Sequence, residues 1–226
     1  MPYSFEKHIH LEVGEYDRAI RTFIPRYEEM QAMIARWCAS VLPPNPVIID
    51  LGGGTGSLSA VIAERLPHAQ IQLWDIDPKM MEAGKVRLSK YGSRISLVQK
   101  SFEEPLPECD AIVACIALHH VKDLAKKTAI YASIFRALRA PGLFANGDAT
   151  MSHNAQSARE MYRIWGEFMR GHGISEEESQ RHFENWSDED RYFSLAEEFD
   201  ALASAGFAHP ESFWKYGPMT VYGGVK

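Results

Sequence analysis

The stretch Val47-Ile48-Ile49-Asp50-Leu51-Gly52-Gly53-Gly54-Thr55-Gly56 decides the fold of this chain. It reads as an apolar strand with an aspartate near its end, then glycines at alternate positions, then a helix. Glycines carry no Cβ, so the chain turns tightly there and a ligand can lie flush against the backbone. Spacing decides which ligand. A dinucleotide fingerprint needs G-x-G-x-x-G/A, but counting from Gly52 the sixth residue is Ser57, and from Gly54 it is Ser59. A P-loop needs a lysine to meet a phosphate, and none lies between Asp50 and Glu64. Both readings fall, and ATP with them.

What remains is D-x-G-x-G-x-G over Asp50, Gly52, Gly54 and Gly56, and here the chain resembles the class I S-adenosylmethionine (SAM) methyltransferases. A second strand, Gln70 to Trp74, ends in Asp75, 19 residues beyond Gly56, where an acid can accept both ribose hydroxyls. Asp75-Ile76-Asp77-Pro78-Lys79-Met80-Met81 is similar to that family's acidic-loop-Met segment. The resemblance implies an enzyme, with SAM as cofactor and S-adenosylhomocysteine (SAH) as its product.

The bulk properties agree. At 226 residues the chain suits one α/β domain and is short for two. It holds no run of 18 apolar residues, and Met1 to Lys7 lacks the apolar segment of a signal peptide, so the expectation is a cytoplasmic protein with no membrane partner. Cys38, Cys109 and Cys115 have no C-x-x-C spacing and read as reduced packing residues. A net charge of −6 argues against nucleic acid as a partner. Lys122, Lys126 and Lys127 read as the solvated face of a helix.

Short β-rich runs alternate with helical periods, which predicts a doubly wound, Rossmann-like α/β fold: a seven-stranded sheet with parallel strands and an antiparallel C-terminal strand. Strands are expected near residues 46–50, 70–74, 95–99, 110–116 and 143–148, with Pro141-Gly142 breaking the preceding helix. The closing strands are expected at Ser212 to Tyr216 and Met219 to Gly223. The whole chain, 1–226, reads as one domain: a helical cap at 13–42, a SAM-binding core at 46–150, a helical insert at 153–205 and the closing strands at 207–226. Capping boxes at Ser175 and Ser194 open two of the insert's three helices. The cap and insert are expected to build the acceptor pocket, and the insert also offers a surface for a homodimer.

The sulfonium methyl group of SAM is already activated, so the enzyme's main work is positioning. A base helps when the acceptor must lose a proton. His119 and His120 follow the strand Ala111 to Ile116, at the carboxyl end of the sheet, and are candidates for that base; Asp148, at the end of the fifth strand, is the other. Tyr16, Tyr27, Tyr162, Trp165 and Trp186 are candidate walls of an aromatic substrate pocket. His119, His120 and His153 with Asp148 lack metal-ligand spacing, so no metal is expected.

Phe23-Ile24-Pro25-Arg26-Tyr27, Ser175-Glu176-Glu177 and Ala205-Gly206-Phe207 extend the resemblance to the carboxy-SAM synthases, which act in tRNA wobble-uridine modification. That resemblance implies Tyr27, Gly52, Gly53, Gly54, Asp75, Ile76, Ser101, Phe102 and Cys115 around the cofactor, although the family has an aspartate and an asparagine in place of Ser101 and Cys115. The family also holds its extra carboxylate with an arginine where this chain has His182 or Phe183. Plain SAM and methyl transfer to an O, N or C nucleophile of a small molecule are therefore expected. The alternatives are a carboxy-SAM synthase-like tRNA-modification enzyme and a non-catalytic SAM- or SAH-binding partner subunit.

Overall fold

The computed structural model describes residues 13–226; Met1 to Lys7, read above for a leader, lies outside the described residues. Two helices, α1 (Val13–Phe23) and α2 (Tyr27–Val41), precede the alternating core. The core runs β1 (Val47–Leu51), α3 (Ser57–Arg65), β2 (Gln70–Asp75), α4 (Pro78–Leu88), β3 (Ile95–Gln99), β4 (Cys109–Cys115), α5 (Leu124–Ala137) and β5 (Leu138–Ala149). The insert is α6 (Ala155–Gly171), α7 (Glu176–Glu189) and α8 (Leu195–Ala205), and β6 (Glu211–Tyr216) and β7 (Met219–Val225) close the sheet.

The strand order is β3-β2-β1-β4-β5-β7-β6. The pairs from β3 to β5 are parallel, and β7 runs antiparallel to both of its neighbours, β5 and β6. The order reverses between β1 and β4, so the loops leaving their carboxyl ends diverge and open a crevice. Ile48, Ile49, Leu51, Ala111, Ile112 and Val113 are wholly buried, as strands covered by helices on both faces require.

Both expected capping boxes form: Ser175 with Glu178, and Ser194 with Glu197. Two expectations change. Helix α5 passes straight into β5 at Leu138, and Pro141-Gly142 lies within that strand, where its register against β4 shifts. Proline has no N–H for the ladder, and a Cβ on Gly142 would lie 2.2 Å from the Arg139 carbonyl oxygen, so the irregularity falls here.

Lys127 is not on a solvated face. It is buried, with its Nζ 2.5 Å from Glu198 Oε1 on α8. Tyr131 donates to the other oxygen of Glu198 at 2.6 Å and lies 3.3 Å from the Tyr222 hydroxyl. This buried network fastens the insert to α5 and β7.

Candidate active site

The glycine loop between β1 and α3 is shaped by positive φ at Gly52 (64°) and Gly54 (53°), a region that L side chains rarely adopt. Asp75 holds the loop. Its Oδ2 accepts from the Gly54 N–H at 2.8 Å and its Oδ1 from the Asp77 N–H at 2.8 Å, so one carboxylate clamps the turns after β1 and β2 together. Asp77 in turn caps α4. From outside the core, Asp17 on α1 accepts from Thr55 Oγ1 at 2.8 Å and pairs with Arg87, which latches α1 over the loop.

A cavity of about 290 Å³ lies between this loop and the cap. Of the cofactor candidates, Tyr27, Asp50, Gly52, Gly53, Gly54, Asp75, Ile76, Ser101, Phe102 and Cys115 line it, as does Tyr16. Gly56 does not. Its φ of 78° serves the N-terminus of α3, where a Cβ would lie 2.6 Å from Leu88 Cδ1, so its role is backbone conformation and close packing. Tyr16, expected as a wall of the substrate pocket, lines this same cavity with the cofactor candidates.

Asp50 is wholly buried, accepts from Ser59 Oγ at 2.6 Å, and has no partner on Oδ1. Burial pushes its pKa up to about 7, and the Ser59 bond only partly offsets this. Gln31 Nε2 on α2 is also buried without a partner. Both residues line the cavity, so an ammonium or hydroxyl donor and a carbonyl or carboxylate acceptor are the groups that would satisfy them. The aminoacyl end of SAM carries such groups, and exposed Ile76 with Phe102 gives apolar surface for a flat base. No arginine lines this cavity among the described residues, and Arg181 is exposed.

A second, smaller chamber of about 40 Å³ adjoins it, and Ile20, Ile116 and His119 line both. Its other walls include Phe23, Asp148, Trp165, Trp186, Asp190 and Tyr192. Ile116, with φ of 52°, is a β-branched residue held in the left-handed region at the boundary between the two cavities. His119 is buried. Its Nδ1 lies 2.6 Å from Asp148 Oδ1, and its own backbone N–H donates to Asp148 Oδ2 at 3.0 Å. Burial lowers the imidazole pKa, but Asp148 and Asp190 more than offset that, and the net shift is upward. Asp148 shifts down despite its burial because it faces His119.

His120 lines the cofactor cavity instead, with Nδ1 2.9 Å from Asp190 Oδ1. Trp165 and Trp186, expected as walls of a substrate pocket, line the chamber. Tyr162 does not; it stacks behind Trp165 at 6.4 Å and faces an outer groove with Met151 and His153. His153 pairs with Glu197 at 2.8 Å, away from the other histidines. His119, His120 and Asp190 bring ligand atoms within 4.8 Å of one another, through an aspartate that the sequence reading did not single out. Asp190 and Tyr192 leave no periodic signal, because they lie in the link between α7 and α8 and reach the site only through the insert's packing.

Residues 48–142 match a family model described as a methyltransferase domain. With the fold and the loop chemistry, this match supports the class I SAM-dependent methyltransferase superfamily. Within it, the chain is 22% identical over 211 residues to the carboxy-S-adenosyl-L-methionine synthase of Campylobacter curvus, covering 93% of this chain and 90% of that one. It is 31% identical over 123 residues to the trans-aconitate 2-methyltransferase of Mycobacterium ulcerans, covering 51% and 44%. The solved structure of human N-acetylserotonin methyltransferase in complex with SAM superposes with a TM-score of 0.59 at 18% identity, over 97% of this chain and 61% of that one. Solved structures of this kind run longer: the chain spans 56% of one and 72% of another. Among the described residues, no helix is long and apolar enough to cross a membrane.

Proposed function

We propose that this protein transfers a methyl group from SAM to a small molecule held in the aromatic chamber, with His119 as general base and Asp148 as the residue that positions it. One observation carries the reading: His119 lines both cavities, and its Nδ1 is fixed on Asp148. That bond leaves Nε2 as the ring nitrogen able to take a proton from an acceptor. SAM, when bound, supplies a methyl group already activated on sulfur.

In this reading Asp75 accepts the ribose hydroxyls, Gly52 to Gly54 give the cofactor its backbone bed, and Tyr16, Tyr27 and Cys115 close the cavity around it. Asp50 and Gln31 meet the aminoacyl end. Phe23, Trp165 and Trp186 exclude water from the acceptor. His120 acts through Asp190 and does not touch the reacting atoms. Among the described residues no guanidinium lines the cofactor cavity, which favours SAM over its carboxylated form. The small volume of the chamber favours a small acceptor over a nucleic acid. A cytoplasmic homodimer, paired through the outer faces of the insert, completes the proposal.

Calorimetry with SAH and a SAM-consumption assay over small amines, alcohols and phenols test it. SAH should bind, at least one acceptor should be methylated, and His119→Gln should lower kcat by about 10²- to 10⁴-fold while SAH affinity is largely retained. Failure to bind SAH, or wild-type kcat in His119→Gln, would refute it.

A further inference from the structure

His119, His120 and His153 lack metal-ligand spacing along the chain, but the fold assembles a different set. His153 turns away to Glu197, and Asp190 takes its place. One ligand atom each from His119, His120 and Asp190 come within 4.8 Å of one another, and the two rings lie 4.2 Å apart, centroid to centroid. Around Zn²⁺, tetrahedrally placed atoms about 2.0–2.1 Å from the ion stand about 3.4 Å from one another. The pairs here straddle that value: His120 Nδ1 is 2.9 Å from Asp190 Oδ1, and His119 Nε2 is 3.8 Å from Asp190 Oδ2. Closing the widest span takes at most about 1.4 Å, a shift that rotation of the half-buried His120 can supply.

The surroundings are those that a bound ion requires. Asp148 holds His119 Nδ1 at 2.6 Å, so the neutral ring carries its proton there and aims the Nε2 lone pair at Asp190. Two acceptors facing each other at 3.8 Å repel unless a cation lies between them, and at that distance a metal ion bridges them better than a shared proton. A carboxylate behind a ligating imidazole is the usual outer support of such a site. The Tyr192 hydroxyl supports Asp190 in the same way, donating to Oδ2 at 2.9 Å. With both imidazoles neutral, Asp148 and Asp190 each contribute one negative charge, and a divalent ion balances the two. Lys127 acts on Asp148, but Glu198 matches its charge. Two imidazole nitrogens and one carboxylate suit zinc and its first-row neighbours, not Mg²⁺ or Ca²⁺. Asp190 also lines the outer groove, which gives an ion its way in.

We infer that His119 Nε2, His120 Nδ1 and a carboxylate oxygen of Asp190 bind one divalent transition-metal ion of the zinc class, with Asp148 and Tyr192 as its outer partners. His120 exchanges its hydrogen bond to Asp190 for the ion and carries its proton on Nε2 instead. Binding goes beyond the methyl-transfer reading and does not depend on it. The consequence for catalysis does: the ion takes the lone pair that the base needs, so ion and acceptor exclude each other and Zn²⁺ inhibits the enzyme.

The test is calorimetry of the full chain, with and without SAH, titrated with Zn²⁺ and with Mg²⁺, together with the absorption spectrum of the Co²⁺ form. Zn²⁺ should saturate a site on the chain, Mg²⁺ should not, and the Co²⁺ form should show no thiolate charge-transfer band, because no cysteine is a ligand. His120→Gln and Asp190→Asn should each weaken Zn²⁺ binding by about tenfold or more, and His153→Gln should leave it unchanged. No saturable Zn²⁺ binding, equal binding of Mg²⁺, a thiolate band, an equal loss in His153→Gln, or wild-type affinity in folded His120→Gln or Asp190→Asn would each overturn the inference. Melting temperature shows which variants are folded; if neither ligand variant is, the wild-type titrations and the Co²⁺ spectrum decide. Methyl transfer undiminished with Zn²⁺ bound would strike His119 as the base and leave the site standing. Failure of the wild type to bind SAH would strike the methyl-transfer reading alone.

Discussion

Asp75→Asn tests the glycine loop where its geometry is most explicit. The native carboxylate accepts from two backbone donors at once, Gly54 N–H and Asp77 N–H, each at 2.8 Å. Asparagine keeps one acceptor oxygen, and its NH₂ must then face one of those N–H groups. One charge-assisted bond is lost and the other loses its charge. Burial, the leading influence on Asp75, pushes its pKa up, so removing the charge returns part of the cost. The net destabilisation should be about 1–3 kcal/mol. For a domain of this size that lowers the melting temperature by about 3–10 °C. If the same carboxylate also receives the ribose hydroxyls, SAH affinity should fall by about 10- to 150-fold as well, the equivalent of a hydrogen bond to a charged acceptor. Differential scanning fluorimetry and calorimetry with SAH read the two effects separately. Unchanged melting refutes the clamp. Lower melting with unchanged affinity keeps the clamp and refutes the ribose placement.

The buried pair Lys127 and Glu198 gives a second prediction: Lys127→Met strands a carboxylate and should cost about 3–5 kcal/mol, while adding Glu198→Met should recover much of it. Urea melts that show the two single costs simply adding would refute the pairing. Asp50 gives a third, with its sign set by a raised pKa. Its contribution to folding is fully present below the usual carboxylate range and is lost as pH rises through about 7. Asp50→Asn should therefore gain in melting temperature relative to wild type between pH 5 and pH 8 in the absence of SAM, and a difference independent of pH would refute the assignment.

What the sequence made legible follows from how local each feature is. The glycine loop and Asp75 were readable because backbone conformation and strand ends impose their spacing. The capping boxes at Ser175 and Ser194 were readable because each closes within one turn. Lys127 was misread by weighing charge ahead of period. It stands four residues before Tyr131 and seven before Ile134, both wholly buried, so the helical repeat alone turns it toward the core. Gly56 was assigned to the ligand by its place in the motif, whereas its contact with Leu88 is set by the packing of α4.

The division between the two cavities explains the rest. Much of the cofactor cavity comes from consecutive turns at the carboxyl ends of β1, β2 and β4, so most of it is encoded within a short span of the chain. The chamber instead draws Phe23 from the cap, His119 from the turn after β4, Asp148 from β5, and Trp165, Trp186, Asp190 and Tyr192 from the insert. No sequence period links such distant positions; only the docking of α6 to α8 brings them together, and the Lys127–Glu198 pair is one fastening of that docking. If the chamber holds the acceptor as proposed, acceptor choice depends on how the insert packs as well as on which residues it carries. A change at α8 that loosens the insert should alter acceptor selectivity while leaving the glycine loop, and with it the methyl donor, largely untouched.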